Sequence, residues 1–338
     1  MLKQLFYLPW WFFRARILGQ KRPLQTVLFV SNICNLRCAH CAEGTHAGGI
    51  SKSWQQIKEE LEYSHRLGAR FVDFEGGEPT LWRDEQGRDL NDLLDLSKQL
   101  GFYSATVTTN AQRPFAGLRA DSIWVSLDGV GHWHDKIRGE GAFARLEENL
   151  AGCGHPNLSV NMAINALNYP AVAETIEYAK ASPYIRQISL NFHTPYPGTE
   201  HMALAWEVRQ QLIDQIIDYK RRDYPIMNSI SGLKLMRHNQ FPKDCWVSNF
   251  ILADGTRLPE CPGKQAGVCD QCGFCMAGEM RSVFTFKPDT ILVCRKSCNS
   301  SASVLSSACS SRRRTISTPA SSHKLTPHIC TTLAALYA

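Results

Sequence analysis

The sequence has no apolar run long enough to span a bilayer, which argues against a protein with a membrane-spanning helix. It also shows no signal-peptide pattern at its start. Its thirteen cysteines are odd in number and clustered in short spacings, which argues against a secreted disulfide scaffold. We therefore expect a cytoplasmic protein in which several cysteines bind metal.

Acidic residues are absent from both ends of the chain. The formal net charge is +6, but residues 1–22 carry five Lys or Arg and residues 299–338 carry four, which leaves the stretch 23–298 with a net charge of −3. A mildly acidic body does not attract a phosphate backbone. We therefore expect no nucleic-acid partner.

The N-terminal segment, residues 1–22, combines aromatic with basic residues. The run LFYLPWWFF at residues 5–13 is followed by Arg14, Arg16, Lys21 and Arg22. This combination is typical of a helix that lies in a membrane interface, but enzymes also bury such segments against their own surface. Both interpretations stay open, and the first predicts peripheral contact with the inner face of a membrane.

Residues 23–200 alternate short strand patterns with amphipathic helical patterns. The strand candidates are rich in Val, Ile and Phe, and polar or glycine-containing turns follow most of them. They are Thr26–Ser31, Arg70–Glu75, Tyr103–Thr108, Ser122–Leu127, Leu158–Ile164 and Gln187–Phe192. Ser53-x-x-Gln56 is a capping-box pattern that predicts the start of a helix. The repetition predicts an α/β fold with a parallel sheet or barrel, whose site lies at the carboxyl ends of the strands.

The rest of the chain divides into three further predicted regions. Residues 201–244 are predicted as a linker containing a long amphipathic helix at 202–222, and residues 245–298 as a Cys-rich module with seven of the thirteen cysteines. Fifteen of the forty residues at 299–338 are Ser or Thr. That composition predicts a disordered tail or an out-of-frame end.

Three cysteines follow the first predicted strand: Cys34, Cys38 and Cys41, with x3 and x2 spacing. One loop can place them at three corners of a cubane iron–sulfur cluster, which leaves the fourth iron open to a small molecule. The alternative is a structural zinc site completed by His40, His46 or a distant cysteine. The spacing alone leaves both open.

The Cys-rich module is ordered around a predicted hairpin. Cys245 precedes an Asp254-Gly255 turn, and further cysteines follow it: Cys261, Cys269, Cys272, Cys275, Cys294 and Cys298. Residues 287–296 are predicted as another hairpin strand. Four thiolates from this set fit an additional cluster or a tetrahedral zinc ion, and the spacing decides neither the ligands nor their number.

Four polar motifs follow predicted strands, three of them directly at a strand end and the last a few residues beyond the fourth strand. They are Glu75-Gly76-Gly77-Glu78-Pro79-Thr80, Thr108-Thr109-Asn110, Ser126-Leu127-Asp128-Gly129 and His134-Asp135-Lys136-Ile137-Arg138-Gly139. Glycines permit close approach of a backbone to a ligand, and a carbonyl or Glu78 can accept from an ammonium group. Each motif alone is also ordinary turn chemistry.

The order of these motifs resembles the radical S-adenosylmethionine (SAM) superfamily over residues 24–200. The resemblance implies a partial (β/α)6 TIM-like barrel. It also implies a [4Fe-4S] cluster on Cys34, Cys38 and Cys41 whose open iron binds SAM. Gly76, Gly77, Glu78 and Pro79 correspond to the loop that binds the SAM amino group. By the same resemblance Asn110, Ser126 and Asp128 reach the ribose and methionine portions, and Arg138 pairs with the carboxylate.

The Cys-rich module resembles the auxiliary-cluster extensions called SPASM and twitch domains. This implies a probable auxiliary Fe–S cluster with ligands drawn from Cys245, Cys261, Cys269, Cys272 and Cys275. The family resemblance implies reductive SAM cleavage to a 5′-deoxyadenosyl radical, with an electron donor such as flavodoxin or ferredoxin. The substrate is expected to be a peptide or protein. A membrane-surface enzyme acting on a lipid or isoprenoid and a non-catalytic zinc-binding module are the alternatives.

Overall fold

The computed structural model describes residues 2–41 and 49–291, with side chains from residue 6 onward. His46, Cys294, Cys298 and the predicted tail at 299–338 lie outside the described residues. The helices are α1 (Leu2–Arg16), α2 (Trp54–Leu67), α3 (Leu90–Gln99), α4 (His132–Arg138), α5 (Ala142–Cys153), α6 (Val172–Ala181), α7 (Trp206–Arg221), α8 (Ile230–His238), α9 (Pro262–Gln265) and α10 (Met276–Phe284). The strands are β1 (Gln25–Phe29), β2 (Phe71–Glu75), β3 (Ser104–Thr109), β4 (Ser122–Ser126), β5 (Leu158–Ile164), β6 (Ile188–Phe192), β7 (Ser248–Ile251) and β8 (Arg257–Leu258).

The strands form one sheet in the order β6-β5-β4-β3-β2-β1-β7-β8. β1 to β6 are parallel and pair with their neighbours in sequence, which confirms the six predicted strands. A helix follows each of β1 to β6 except β3, which the loop at residues 110–121 connects to β4. Because parallel neighbours need a crossover, this order closes the sheet partly around an interior, as in a partial TIM-like barrel.

The main core lies between the sheet and the surrounding helices. Val72 and Phe74 on β2, Val107 on β3 and Leu93 and Leu94 on α3 are all fully or almost fully buried in this cluster. Alternate strand residues point to the other side of the sheet, where polar residues such as Asp73 and Thr106 face the interior. The pleat therefore separates an apolar outer face from a polar inner one.

The predicted capping box at the start of α2 is present. Ser53 Oγ accepts from the backbone N–H of Gln56 at 3.2 Å, and Gln56 Oε1 accepts from the N–H of Ser53 at 2.8 Å. Gly68 ends the helix with φ +122°, a conformation that favours glycine. These two signals set where α2 enters and leaves the barrel wall.

The region after β6 departs in detail from the sequence prediction. The predicted helix at 202–222 is α7, and a second helix, α8, follows it. The boundary between residues 244 and 245 stays a prediction, but β7 directly after it pairs parallel with β1 and so extends the main sheet. The predicted hairpin at Asp254-Gly255 is present between β7 and β8. Residues 288–291 are helical, so the strand predicted there is wrong.

The helix α1 packs on the end of the barrel where the strands begin. The Tyr7 hydroxyl donates to the carbonyl of Gly68, just before β2, and the Tyr7 ring lies edge-on to Tyr103, just before β3. Trp11 Nε1 donates to the carbonyl of Arg22, just before β1, at 2.9 Å. None of the helices among the described residues is long and apolar enough to cross a membrane.

Candidate active site

A cavity of about 380 Å³ opens where the loops after β1, β2, β3 and β4 meet. This is the carboxyl end of the parallel strands, where α/β folds place their ligands. Its lining includes the predicted residues Cys34, Cys38, Cys41, Gly76, Gly77, Glu78, Asn110, Ser126 and Arg138. The structure therefore brings together side chains that are spread over about one hundred positions of the sequence.

The glycine loop after β2 lies directly against the loop that carries the cysteines. A Cβ on Gly76 would stand 2.3 Å from the carbonyl oxygen of Ser31, and one on Gly77 would stand 2.2 Å from that of Ile33. The backbone N–H groups of Gly77 and Glu78 donate to those same two carbonyls at 2.8 Å. Only glycine permits this approach, which holds the two loops at the cavity wall.

Glu78 is buried and its carboxylate is fully engaged. It accepts from the Thr80 hydroxyl at 2.6 Å, the Thr109 hydroxyl at 2.7 Å and the Asn110 N–H at 2.7 Å. Burial raises the pKa of Glu78, while these donors lower it. Glu78 therefore ties the loop after β2 to the end of β3, and the loop carbonyls are better placed than its carboxylate to receive an ammonium group. Pro79 is buried behind the cavity, at the start of a 3₁₀ turn.

Asn110 connects the end of β3 to the cysteine loop. Its Nδ2 donates to Asn35 Oδ1 at 2.8 Å and lies 3.5 Å from Cys34 Sγ. An N–H donor beside a sulfur stabilises the thiolate form. Asn35 was not singled out from the sequence, although its position next to Cys34 within the loop was a signal for it.

Arg138 and Asp128 form a buried ion pair at the cavity edge. Arg138 Nε donates to Asp128 Oδ2 at 2.7 Å, and Arg138 Nη1 lies 3.9 Å from Cys38 Sγ. Asp128 does not line the cavity, and its other oxygen accepts from the N–H of Ala163 at 3.0 Å. Its carboxylate therefore stands behind Arg138 and orients the guanidinium. The resemblance implied that Asp128 contacts the ribose of SAM, but the carboxylate does not face the cavity.

His40 fills the space between the cysteine loop and this ion pair. Its Nδ1 lies 3.9 Å from Asp128 Oδ2 and is a buried atom without a hydrogen-bond partner. Burial lowers the pKa of His40 to about 4, so the ring is neutral at physiological pH. A neutral ring at this place lines the cavity beside the cysteines without adding charge.

The three cysteines after β1 surround the cavity but do not converge on one point. Among the described residues no three His, Cys, Asp or Glu side chains meet where a single metal ion could be bound. A cubane holds each thiolate on a different iron, so its ligands are spread around the cluster. Burial raises the pKa of Cys34 and raises that of Cys38 to about 11, and cluster binding therefore requires release of protons. The donor set, the glycine loop and the unpartnered His40 nitrogen fit a cluster with one open iron.

A second group of cysteines lies beyond β6. Cys245 and Cys261 are hydrogen-bonded to each other, and Cys269 and Cys272 lie close enough to influence the pKa of Cys245. The hydrogen bond from Cys245, despite burial, lowers the pKa of Cys261 to about 7. The Tyr196 hydroxyl also donates a hydrogen bond to Cys261, and burial and the neighbouring cysteines raise the pKa of Tyr196. Four thiols are thus gathered here.

Cys275 lies at the edge of that group. It is almost fully buried (1% exposed), burial raises its pKa to about 12, and the neighbours that influence this pKa are Arg209, Glu279 and one thiol of the group, Cys272. Its backbone N–H donates to Asn191 Oδ1 at 3.1 Å, which fixes it behind the end of β6. Of the five candidate ligands that the sequence offered in this module, four influence one another's pKa values, and the fifth, Cys275, neighbours Cys272 alone among them.

The chain matches the model of the Radical SAM superfamily over residues 28–253. It is 30% identical over 173 residues to a probable GTP 3′,8-cyclase of Saccharolobus islandicus, an alignment that covers 47% of this chain and 54% of the relative. The chain spans about half the length of the curated relatives it matches.

Two solved structures share the fold. SuiB of Streptococcus suis bound to S-adenosylmethionine superposes with a TM-score of 0.56 at 17% identity, covering 71% of this chain and 60% of SuiB. A structure of anSMEcpe with bound AdoMet and the Cp18Cys peptide gives a TM-score of 0.55 at 16% identity, covering 79% of this chain and 81% of that one. At such identities the likeness concerns the fold.

Proposed function

This chain belongs to the radical SAM superfamily, and from that premise we propose that it modifies a peptide or protein substrate by radical chemistry. The observation that carries the proposal is the single cavity in which Cys34, Cys38 and Cys41 meet the Gly76–Gly77 loop and Arg138. When bound, a reduced [4Fe-4S] cluster and SAM supply a 5′-deoxyadenosyl radical that removes hydrogen from an unactivated C–H bond.

The residues of the cavity divide the binding of SAM among them. Cys34, Cys38 and Cys41 would hold the cluster. Backbone carbonyls of the Gly76–Gly77 loop would accept from the amino group, because the Glu78 carboxylate is already engaged. Arg138 uses Nε for Asp128 and has Nη1 3.9 Å from Cys38 Sγ, which leaves Nη2 to donate to the SAM carboxylate.

Two residues at strand ends would contact the remaining parts of SAM. Asn110 and Ser126 line the cavity at the ends of β3 and β4 and offer hydrogen bonds to ribose or methionine atoms. Asp128 would act as a positioning residue through Arg138. No side chain is assigned as a proton donor or acceptor, since the cofactor carries the chemistry and the protein orients it.

The four gathered thiols of Cys245, Cys261, Cys269 and Cys272 would bind an auxiliary Fe–S cluster. Four thiolates satisfy one cubane by binding four different irons, whereas a zinc ion, the alternative occupant, would require the thiols to move to one point, because no three of them converge among the described residues. Metal analysis of the purified protein distinguishes them, because zinc would remain after anaerobic preparation without added iron.

A peptide substrate is supported by the shared fold with anSMEcpe, whose structure contains a bound peptide. The lipid alternative has one observation in its favour, the exposed apolar residues of α1. That helix, however, packs where the strands begin, whereas the cavity lies where they end. The position of α1 therefore gives no support to a lipid entering the cavity from it. The electron donor, a flavodoxin or ferredoxin, is part of the proposal.

The test is anaerobic reconstitution with iron and sulfide, followed by reduction in the presence of SAM. We expect about four irons for each cluster and formation of 5′-deoxyadenosine. Cys38→Ala should abolish SAM cleavage. Cys153→Ala is the matched control, because Cys153 is a buried free cysteine at the end of α5 and lines neither site. SAM cleavage retained by Cys38→Ala would refute the assignment.

A further inference from the structure

The helix α1 turns an apolar face toward solvent. Phe6, Trp10 and Phe13 recur at spacings of four and three residues and therefore share one side of the helix, and Ile17 follows directly after its last residue. They are 70%, 52%, 43% and 65% exposed. The rings of Trp10 and Phe13 stack with centroids 5.7 Å apart. A helix on the surface of a globular protein ordinarily directs such a row inward.

The opposite face of α1 is already packed on the protein. Trp11 is buried, and Phe12 stacks on Phe284 with centroids 5.5 Å apart. Arg16 Nε donates to the carbonyl of Phe284 at 3.2 Å. The helix is therefore held in place by one apolar side, while no described residue of the chain covers the other.

A basic cavity lies beside the exposed row. The cavity has a volume of about 150 Å³ and is lined by four arginines: Arg14, Arg22, Arg66 and Arg70. The rest of its lining is Tyr7, Trp10, Trp11, Gln20 and Gly68. Neither Asp nor Glu is among its described lining residues. Glu62 Oε2 lies 3.9 Å from Arg66 Nη1, and this exposed ion pair is of a kind that contributes little. Guanidinium groups around such a cavity match the oxygens of a phosphate group.

An apolar groove adjoins the basic cavity. It has a volume of about 690 Å³ and is lined by Phe6, Leu100 and Tyr103 among others, and it shares Tyr7, Trp10 and Arg70 with the arginine cavity. The basic cavity matches the anionic headgroup of a phospholipid, and the apolar groove beside it matches the acyl chain. Residues 1–22 contain no acidic residue that would repel such a surface.

We propose that α1 docks this enzyme on an anionic phospholipid bilayer. Phe6, Trp10, Phe13 and Ile17 enter the interface, while the arginine cavity binds headgroup phosphates. Because α1 covers the end of the barrel where the strands begin, the bilayer lies at the opposite end from the catalytic cavity. The contact is an anchor that leaves the cavity open to the aqueous side, and it is independent of what the substrate is.

The test is co-sedimentation of the holoprotein with vesicles. We expect binding to phosphatidylcholine mixed with phosphatidylglycerol to be at least about tenfold tighter than to phosphatidylcholine alone, and to weaken with added salt. Trp10→Ser/Phe13→Ser should lose about tenfold in affinity. Tyr169→Ser/Tyr184→Ser removes two exposed aromatic rings away from α1 and should bind like the wild type.

The contribution of charge has its own matched pair. Arg14→Gln/Arg22→Gln should weaken binding to the anionic vesicles by about tenfold, whereas Arg221→Gln/Arg222→Gln, with the same change in net charge near the end of α7, should not. Unchanged vesicle binding by Trp10→Ser/Phe13→Ser would overturn the proposal. A second outcome would also overturn it: a wild-type protein that binds no vesicles but forms a dimer, which Trp10→Ser/Phe13→Ser disrupts. The exposed face of α1 would then contact a second copy of the chain.

Discussion

Asp128 Oδ2 accepts a hydrogen bond from Arg138 Nε at 2.7 Å, and the two side chains are 1% and 9% exposed. Burial by itself raises the pKa of Asp128, but Arg138, His40 and His134 more than offset it and bring it to about 2. The carboxylate is therefore ionised at all ordinary pH values. Since its second oxygen holds the N–H of Ala163, the pair links the loop after β4 to β5 and to the cavity.

We expect Asp128→Asn to lower the free energy of unfolding by about 3 kcal/mol at neutral pH, because it leaves the Arg138 charge buried and uncompensated. The folded-state pKa lies below the unfolded one, so this contribution is present above about pH 4 and is lost as the pH falls toward 2. Urea unfolding of the two proteins should therefore converge at low pH.

The same variant should raise the KM for SAM about tenfold with a smaller change in kcat, because a misplaced guanidinium weakens carboxylate binding. Asp95→Asn is the control, since Asp95 pairs with Arg119 on the surface at 2.7 Å and such pairs contribute about 0–1 kcal/mol. Equal KM values for the wild type and Asp128→Asn would contradict a positioning role.

Gly77→Ala should prevent assembly of the first cluster. The added Cβ meets the Ile33 carbonyl at 2.2 Å, and the loop that carries Cys34 must move to relieve the clash. Iron content after reconstitution and 5′-deoxyadenosine yield measure the effect. Gly152→Ala is the matched control, because nothing lies within 4 Å of its Cβ position and an alanine in α5 should stabilise by about 0.5–1 kcal/mol. Normal iron content in Gly77→Ala would refute the prediction.

Much of the fold and of the cavity could be predicted from the sequence because each signal is local. The six strands of the repeating region, the capping box at Ser53 and the hairpin at Asp254-Gly255 depend on neighbouring residues. The cavity followed from the rule that strand ends meet at one edge of the sheet. Motifs at the ends of β1, β2, β3 and β4 therefore predicted a common site.

The remaining features depend on contacts between distant parts of the chain. The sequence gives no partners for the carboxylates of Glu78 and Asp128. The fold brings Thr109 and Asn110 to Glu78. It brings Arg138 and Ala163 to Asp128. Likewise, the x2 spacing does not distinguish Cys272 from Cys275. In the fold Cys272 influences the pKa of Cys245 and is itself influenced by Cys261, whereas Cys272 is the one thiol named beside Cys275.

Cys261→Ala should remove the auxiliary cluster, whereas Cys275→Ala should leave it in place. Cys261 is hydrogen-bonded to Cys245 within the group of four thiols, whereas Cys275 lies at the edge of the group, beside Arg209, Glu279 and Cys272. We expect Cys261→Ala to lose about four irons per chain relative to the wild type and Cys275→Ala to lose none. Iron loss in Cys275→Ala equal to that in Cys261→Ala, with both proteins folded, would show that Cys275 is a ligand.

The buried carboxyl of Glu279 predicts a stability that declines between acid and neutral pH. It accepts the N–H of Ser229 at 2.8 Å, and burial raises its pKa to about 7. A raised folded-state pKa stabilises the protein fully below the unfolded value near 4.3, and this stability is lost as the pH rises toward 7. The shift corresponds to about 3 kcal/mol. Glu279→Gln, which stays neutral and keeps an oxygen for Ser229, should flatten the dependence of urea unfolding on pH over this window. Glu207→Gln is the control, because Glu207 is exposed and its loss should leave the pH dependence as steep as in the wild type. An equally steep pH dependence in Glu279→Gln would contradict the prediction, since the carboxyl would then already be ionised in the folded protein.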